Sequence, residues 1–112
     1  MPTEVLIVLR LLLATGLGAA IGYQREKAGK PAGLRTHMII SAGSAVFTIA
    51  SIYGFGPTTD MSRVAAGVVA GIGFIGAGTI IHRGSGDIVA GLTTAATIWA
   101  VAAIGMAAGS GL

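Results

Sequence analysis

The chain has 112 residues, of which 54% are hydrophobic and 10% charged, with a formal charge of +3 and no cysteine. A soluble domain of this size cannot hide so much apolar surface in one core, so lipid must cover the remainder, and the reading is an all-α integral membrane bundle. The missing cysteines exclude a disulfide framework or a thiolate metal site. The positive charge is too local for nucleic acid, which needs a broad basic face.

The first apolar run spans residues 5–22. No basic segment or small-residue cleavage pattern marks it as a signal peptide, and three more apolar runs follow, so it reads as a retained helix. Arg10 lies about two turns into it, on the face of Ala14 and Gly18, and an arginine at that depth costs about 2.5 to 3.5 kcal/mol on insertion scales. Two readings stand: the side chain snorkels to the interface, or it pairs inside the bundle, with Asp60 as the natural partner. Ala14, Gly18 and Gly22 form a small-residue seam for helix packing.

The first connecting segment holds Arg25, Lys27, Lys30 and Arg35, together with the breaker Gly29-Lys30-Pro31. Under the positive-inside rule this segment and the third one, with Arg83, are cytoplasmic, which puts both termini outside. Tyr23 and Tyr53 then fall at opposite interfaces. Arg35, His37, Lys30, Arg83 and the N-termini of the second and fourth helices converge on the cytoplasmic face. That arrangement favours anions, with lipid phosphates as the ordinary occupants and a specific anion as the sharper reading.

The second run, 38–53, continues a polar stripe of His37, Ser41, Ser44, Thr48 and Ser51 at steps of four and three, joined by Thr93 and Thr97 of the fourth run. Such a stripe lines either a helix interface, its hydroxyls bonding backbone carbonyls, or a water-filled path.

In the third run, 64–81, Val64, Val68, Ile72 and Ile75 make one stripe, while Gly67, Gly71 and Gly78 line a second and Gly73 and Gly76 a third. Two small-residue faces predict a central helix. The string from Gly71 to Gly78 matches a dinucleotide fingerprint by spacing alone, with no preceding strand and no βαβ unit, and is rejected. The fourth run, 89–108, carries Trp99 near mid-membrane, where it reads as a packing residue. Ala32-Gly33-Leu34-Arg35-Thr36 and Ala90-Gly91-Leu92-Thr93-Thr94 open the second and fourth helices alike, so the four helices read as two parallel-repeated hairpins.

No nucleophilic triad assembles from two histidines, so no enzyme is expected, and no cofactor. The four carboxylates divide as Glu4 and Asp60 outside, Glu26 and Asp87 inside. None sits at the midplane, and the metal question stays open.

Three ordered segments carry a resemblance: Gly22 to His37, with Arg25-Glu26 and Gly33-Leu34-Arg35-Thr36; Gly71 to Gly78; and Gly91 to Gly105, with Thr93-Thr94 and Trp99. Together they resemble the membrane domain of the MgtC/SapB family over nearly the whole chain. Arg10, Asp60, Arg63 and Gly76 match its pattern as well. The resemblance implies a bacterial inner-membrane protein tied to growth at low magnesium and to virulence, acting as a regulator of other membrane machines. It departs from the family at Gln24, where a glutamate is usual, and stops at Leu112, where the family usually continues with a fifth helix and often a cytosolic domain. The alternative is a small oligomeric channel or transporter for magnesium or another cation. Both readings fit a homo-oligomer in a lipid bilayer, the first with other membrane proteins as partners, and neither involves nucleic acid.

Overall fold

The computed structural model describes residues 2–56, 58, 60–81 and 88–112, and the third connecting segment with Arg83 and Asp87 lies outside them. Four α-helices make up the fold: α1 Thr3–Lys27, α2 Leu34–Tyr53, α3 Ser62–Ile81 and α4 Ile88–Ser110. All four are long and apolar enough to cross a membrane, and among the described residues there is no strand. The protein is therefore a multi-pass membrane protein.

The helix ends follow local chemistry. α1 runs about a turn past Gly22, to Lys27, because Tyr23 to Lys27 carry no breaker; at 25 residues it is about 38 Å long. It stops at Gly29, whose φ of +72° only glycine adopts cheaply. The Gly29 amide donates to the Glu26 carbonyl at 3.1 Å and the Lys30 amide to the Arg25 carbonyl at 3.0 Å, the paired bonds of a Schellman stop with Pro31 just beyond. α2 begins at Leu34, a turn before its apolar run, and takes the polar residues Arg35, Thr36 and His37 into helix. Ala32, in the turn between them, holds a left-handed φ of +57° without being glycine.

Exposure is inverted relative to a soluble domain. Phe74 is 83% exposed and Ile39 70%, while His37, Ser41 and Thr94 are essentially buried. Large apolar side chains outside and polar ones inside is the distribution that acyl-chain solvent selects.

The helices do not surround a common axis evenly. α2 and α4 form the middle, α1 packs on both, and α3 lies along α4, touching α2 lightly and α1 not at all. The molecule is correspondingly flat, 49 × 26 × 16 Å. The expected central position of α3 is thus corrected: α3 is the outlying helix, with Ile72 and Gly76 its buried residues. Glycine permits close approach but does not enforce it, and a Cβ built on Gly67, Gly71, Gly73 or Gly78 would meet nothing within 4 Å.

The close approaches occur elsewhere. A Cβ on Gly18 would lie 2.7 Å from the His37 carbonyl and from Ser41, and one on Gly22 2.8 Å from the Leu34 backbone. On the other side a Cβ on Gly105 would strike the Ser41 carbonyl, and one on Gly109 would come within 2.8 Å of the Ala45 carbonyl. α2 is therefore clasped between two Gly-xxx-Gly seams, one on α1 and one on α4. Two hairpins, α1–α2 and α3–α4, are present, but α1 packs on α4 far more closely than α2 packs on α3. Their association is not that of two equivalent repeats.

Candidate functional site

Because the glycine seams bring backbones together on both sides of α2, its polar stripe is pressed into the helix interfaces. The Ser41 hydroxyl donates to the Ala14 carbonyl of α1 at 2.6 Å. Thr48, half-buried, donates to the Ser44 carbonyl at 2.8 Å, and Ser51 to the Met61 carbonyl just ahead of α3 at 2.9 Å. Ser44 is buried beside an apolar cleft that Gly43, Gly67 and Gly71 also line. These hydroxyls are used to bond helices to one another or to their own turns.

At one end of the bundle the stripe continues into a buried polar cluster built from α1, the α1–α2 turn, α2 and α4. Arg25 is 8% exposed. Its Nε donates to the carbonyls of Pro31 at 3.2 Å and Ala32 at 3.3 Å, and its Nη2 to the Pro31 carbonyl at 2.8 Å and the Thr94 hydroxyl at 2.6 Å. One guanidinium thus holds the α1–α2 turn and ties it to α4, and the planar fork is what allows it to reach both. Every partner is neutral.

His37, fully buried, lies beside it. Its Nδ1 is 3.0 Å from the Gly33 carbonyl and its Nε2 3.2 Å from the Thr97 hydroxyl. A carbonyl only accepts, so Nδ1 carries a proton and the network assigns the tautomer. In the neutral ring Nε2 accepts from Thr97. The same hydroxyl also reaches the Thr94 carbonyl at 2.9 Å.

Of the other residues singled out here, Glu26, Arg35 and Thr36 are exposed around the cluster. The Glu26 carboxylate folds back on the start of α2, with Oε1 2.9 Å from where a Gly33 Cβ would stand. Thr93 is exposed on α4.

The opposite end holds Arg10, and its expected partner is corrected. Arg10 Nη1 donates to the Gly109 carbonyl at 3.2 Å and the Tyr53 hydroxyl at 3.3 Å, with Nε buried and unbonded. Asp60 instead accepts from the Ser62 hydroxyl at 2.6 Å and the Ser62 amide at 3.0 Å, capping α3. Those two bonds, the hydroxyl first, hold its carboxyl below the usual range. An exposed carboxylate two residues from a helix start has a local donor at hand, while the guanidinium is claimed by the Gly109 carbonyl near the C-terminus of α4 and by Tyr53. Trp99, expected as a packing residue, is 55% exposed and borders the cleft between α3 and α4.

Sequence reasoning missed Arg25 as a buried group and missed the seam on α4. The second was signalled by Gly105-Met-Ala-Ala-Gly109 itself; the first had no local signal, because its partners lie beyond the turn and on α4. Among the described residues no three carboxylates, histidines or cysteines stand together for a metal ion.

Comparison with known proteins places these features among relatives. The sequence profile of the MgtC family matches residues 11–112. The chain is 52% identical over 112 residues to YhiD of Escherichia coli (strain K12), covering 94% of this chain and 51% of YhiD. It is 44% identical over 112 residues to SapB of Bacillus subtilis (strain 168), covering 94% and 48%. It is 45% identical over 107 residues to MgtC of Salmonella typhimurium (strain LT2), covering 93% and 43%. The chain spans about half the length of these relatives. No solved structure matches it.

Proposed function

Because the chain belongs to the MgtC family, we propose that it serves in the bacterial inner membrane, in adaptation to low magnesium, as a non-enzymatic regulator of other membrane proteins rather than as a cation pathway. Its first connecting turn, with four basic residues, faces the cytoplasm in this reading, and its N-terminus lies outside. The E. coli relative's name ties that protein to magnesium transport, and the regulatory reading takes from it the magnesium setting alone.

The observation that carries the proposal is how the interior polar groups are used. Among the described residues Arg10 and Arg25 are the charged side chains bonded inside the helical bundle, both cationic, and Ser41, Thr48 and Ser51 are bonded to backbone carbonyls. A path for a hard divalent cation needs oxygen ligands with negative charge facing it. The outlying α3 supplies a surface for association instead: Gly67 and Gly71 stand one turn apart on the open cleft between α3 and α2, where a Cβ would meet nothing within 4 Å, the spacing by which membrane helices associate, either with a second copy or with another membrane protein.

The test uses a strain that depends on this gene for growth in low magnesium. Gly67→Ala with Gly71→Ala should weaken rescue without lowering the unfolding temperature of the purified protein, because a Cβ at either position meets no atom within 4 Å. In parallel, liposomes holding only the purified protein and a magnesium indicator should show no flux. Magnesium entry into those liposomes would overturn the proposal in favour of transport.

A further inference from the structure

We propose that the α1–α2 turn is a binding site for the headgroup of an anionic phospholipid, formed by Lys27, Lys30 and Arg35. The three side chains are exposed and make no ion pair or hydrogen bond through their charged groups among the described residues. The one acidic residue of the segment does not neutralise them, since the Glu26 carboxylate is turned onto Gly33. Buried Arg25 adds its charge beneath them and has neutral partners only. The turn thus presents a surplus of positive charge that no ion pair balances among the described residues.

Position identifies the counter-charge. Lys27 lies one turn beyond Tyr23 on the same face of α1, and Arg35 one turn before Ile39 on the same face of α2; Tyr23 is 58% exposed and Ile39 70%. Four residues of helix rise about 6 Å. Lys27 and Arg35 therefore each stand that far outward from an exposed side chain with an apolar body, the step from the acyl boundary to the phosphates, with the tyrosine at the interface where aromatic rings settle. A soluble anion would not need the apolar residues below the charges, whereas a phospholipid uses both.

The turn is also held in place before any lipid arrives. The Schellman bonds fix Lys30 relative to Arg25, and the Arg25 guanidinium grips the Pro31 and Ala32 carbonyls. Ala32 stays left-handed within that grip. With Lys27 ending α1, Lys30 on the fixed turn and Arg35 on the first turn of α2, the backbone that carries the three charges needs no ordering on meeting a phosphate, which favours selection over a diffuse attraction.

The experiment is native mass spectrometry of the full chain, released from nanodiscs of equimolar phosphatidylcholine and phosphatidylglycerol. Phosphatidylglycerol should be retained preferentially, and Lys27→Gln, Lys30→Gln and Arg35→Gln should weaken retention about fivefold each and on the order of a hundredfold together. Lys27→Arg, Lys30→Arg and Arg35→Lys should keep it, and Arg63→Gln at the other end of the bundle should leave it unchanged. If the triple variant loses helicity, the graded loss across the single variants decides. Undiminished retention in the glutamine variants, equal loss in Arg63→Gln, or displacement of the lipid by millimolar inorganic phosphate would each overturn the proposal, the last by assigning the site to a soluble anion.

Discussion

Arg25 keeps a buried charge with no counter-ion among the described residues, so its contribution depends on the direction of its donors. Lysine offers a point charge in place of a fork and cannot reach both the Pro31 carbonyl and the Thr94 hydroxyl. Arg25→Lys should therefore lower stability by about 2 to 3 kcal/mol and Thr94→Val by about 1 kcal/mol, with the double variant less destabilised than the sum, as unfolding in detergent micelles would register. Asp60 gives a prediction of the opposite kind, set by pH. Its carboxyl is held below the ordinary value by the Ser62 hydroxyl and amide, so its cap on α3 is present at neutral pH and is lost as pH falls through that lowered value. Protection from hydrogen exchange at the start of α3, relative to the unfolded chain at the same pH, should fall as the pH is taken through that lowered value, and in Asp60→Ala it should be low at every pH. Arg10 and Asp60, which do not touch, should give additive effects in a double-mutant cycle. The sequence singled out Arg10 by its depth, which follows from counting along a helix. Its partner depends on which helix end arrives beside it, and no residue spacing records that.

Among the helices, glycine marks both the tightest and the loosest contacts, and substitution should tell them apart. Gly18→Ala, Gly105→Ala and Gly109→Ala push a methyl group into the α2 backbone and should cost about 1 to 3 kcal/mol. Gly67→Ala and Gly71→Ala enter open space and should stabilise the isolated chain by up to about 1 kcal/mol through helix propensity. Thermal unfolding of the five variants would order them, and a large loss at Gly67 or Gly71 would contradict the outlying position of α3. The four helices were legible because an apolar run of bilayer length has few other uses, and the stop at Gly29-Lys30-Pro31 because glycine and proline act locally. The seam at Gly18 and Gly22 was equally visible. The role of α3 was not, since Gly71 and Gly105 look alike in sequence and differ only in whether a neighbour fills the space beside them. The stripe from His37 to Ser51 was read with two outcomes open. The Gly18 seam brings the Ala14 carbonyl within reach of Ser41, while Thr48 bonds its own turn and Ser51 the Met61 carbonyl.

For the molecule as a whole, the arrangement is three helices locked by backbone contact and a fourth that leans on one of them. α3 is held along α4 where Gly76 meets Ala95 and Ile72 meets Ile98, and to α2 through the bond from Ser51 to the Met61 carbonyl. Between these attachments α3 stands apart from α2 and from the far end of α4, leaving clefts of about 620 and 780 Å³. Such unevenness dictates an order of disassembly. Heating the detergent-solubilised chain should release one helix in four before the rest, as a first, shallow step in the loss of helical signal, and Ser51→Ala should bring that step to lower temperature while leaving the second where it was. A protein that parts with one helix so readily can trade it against a neighbour's at little cost, and that exchange, rather than a rearranged interior, is the motion this fold makes easiest.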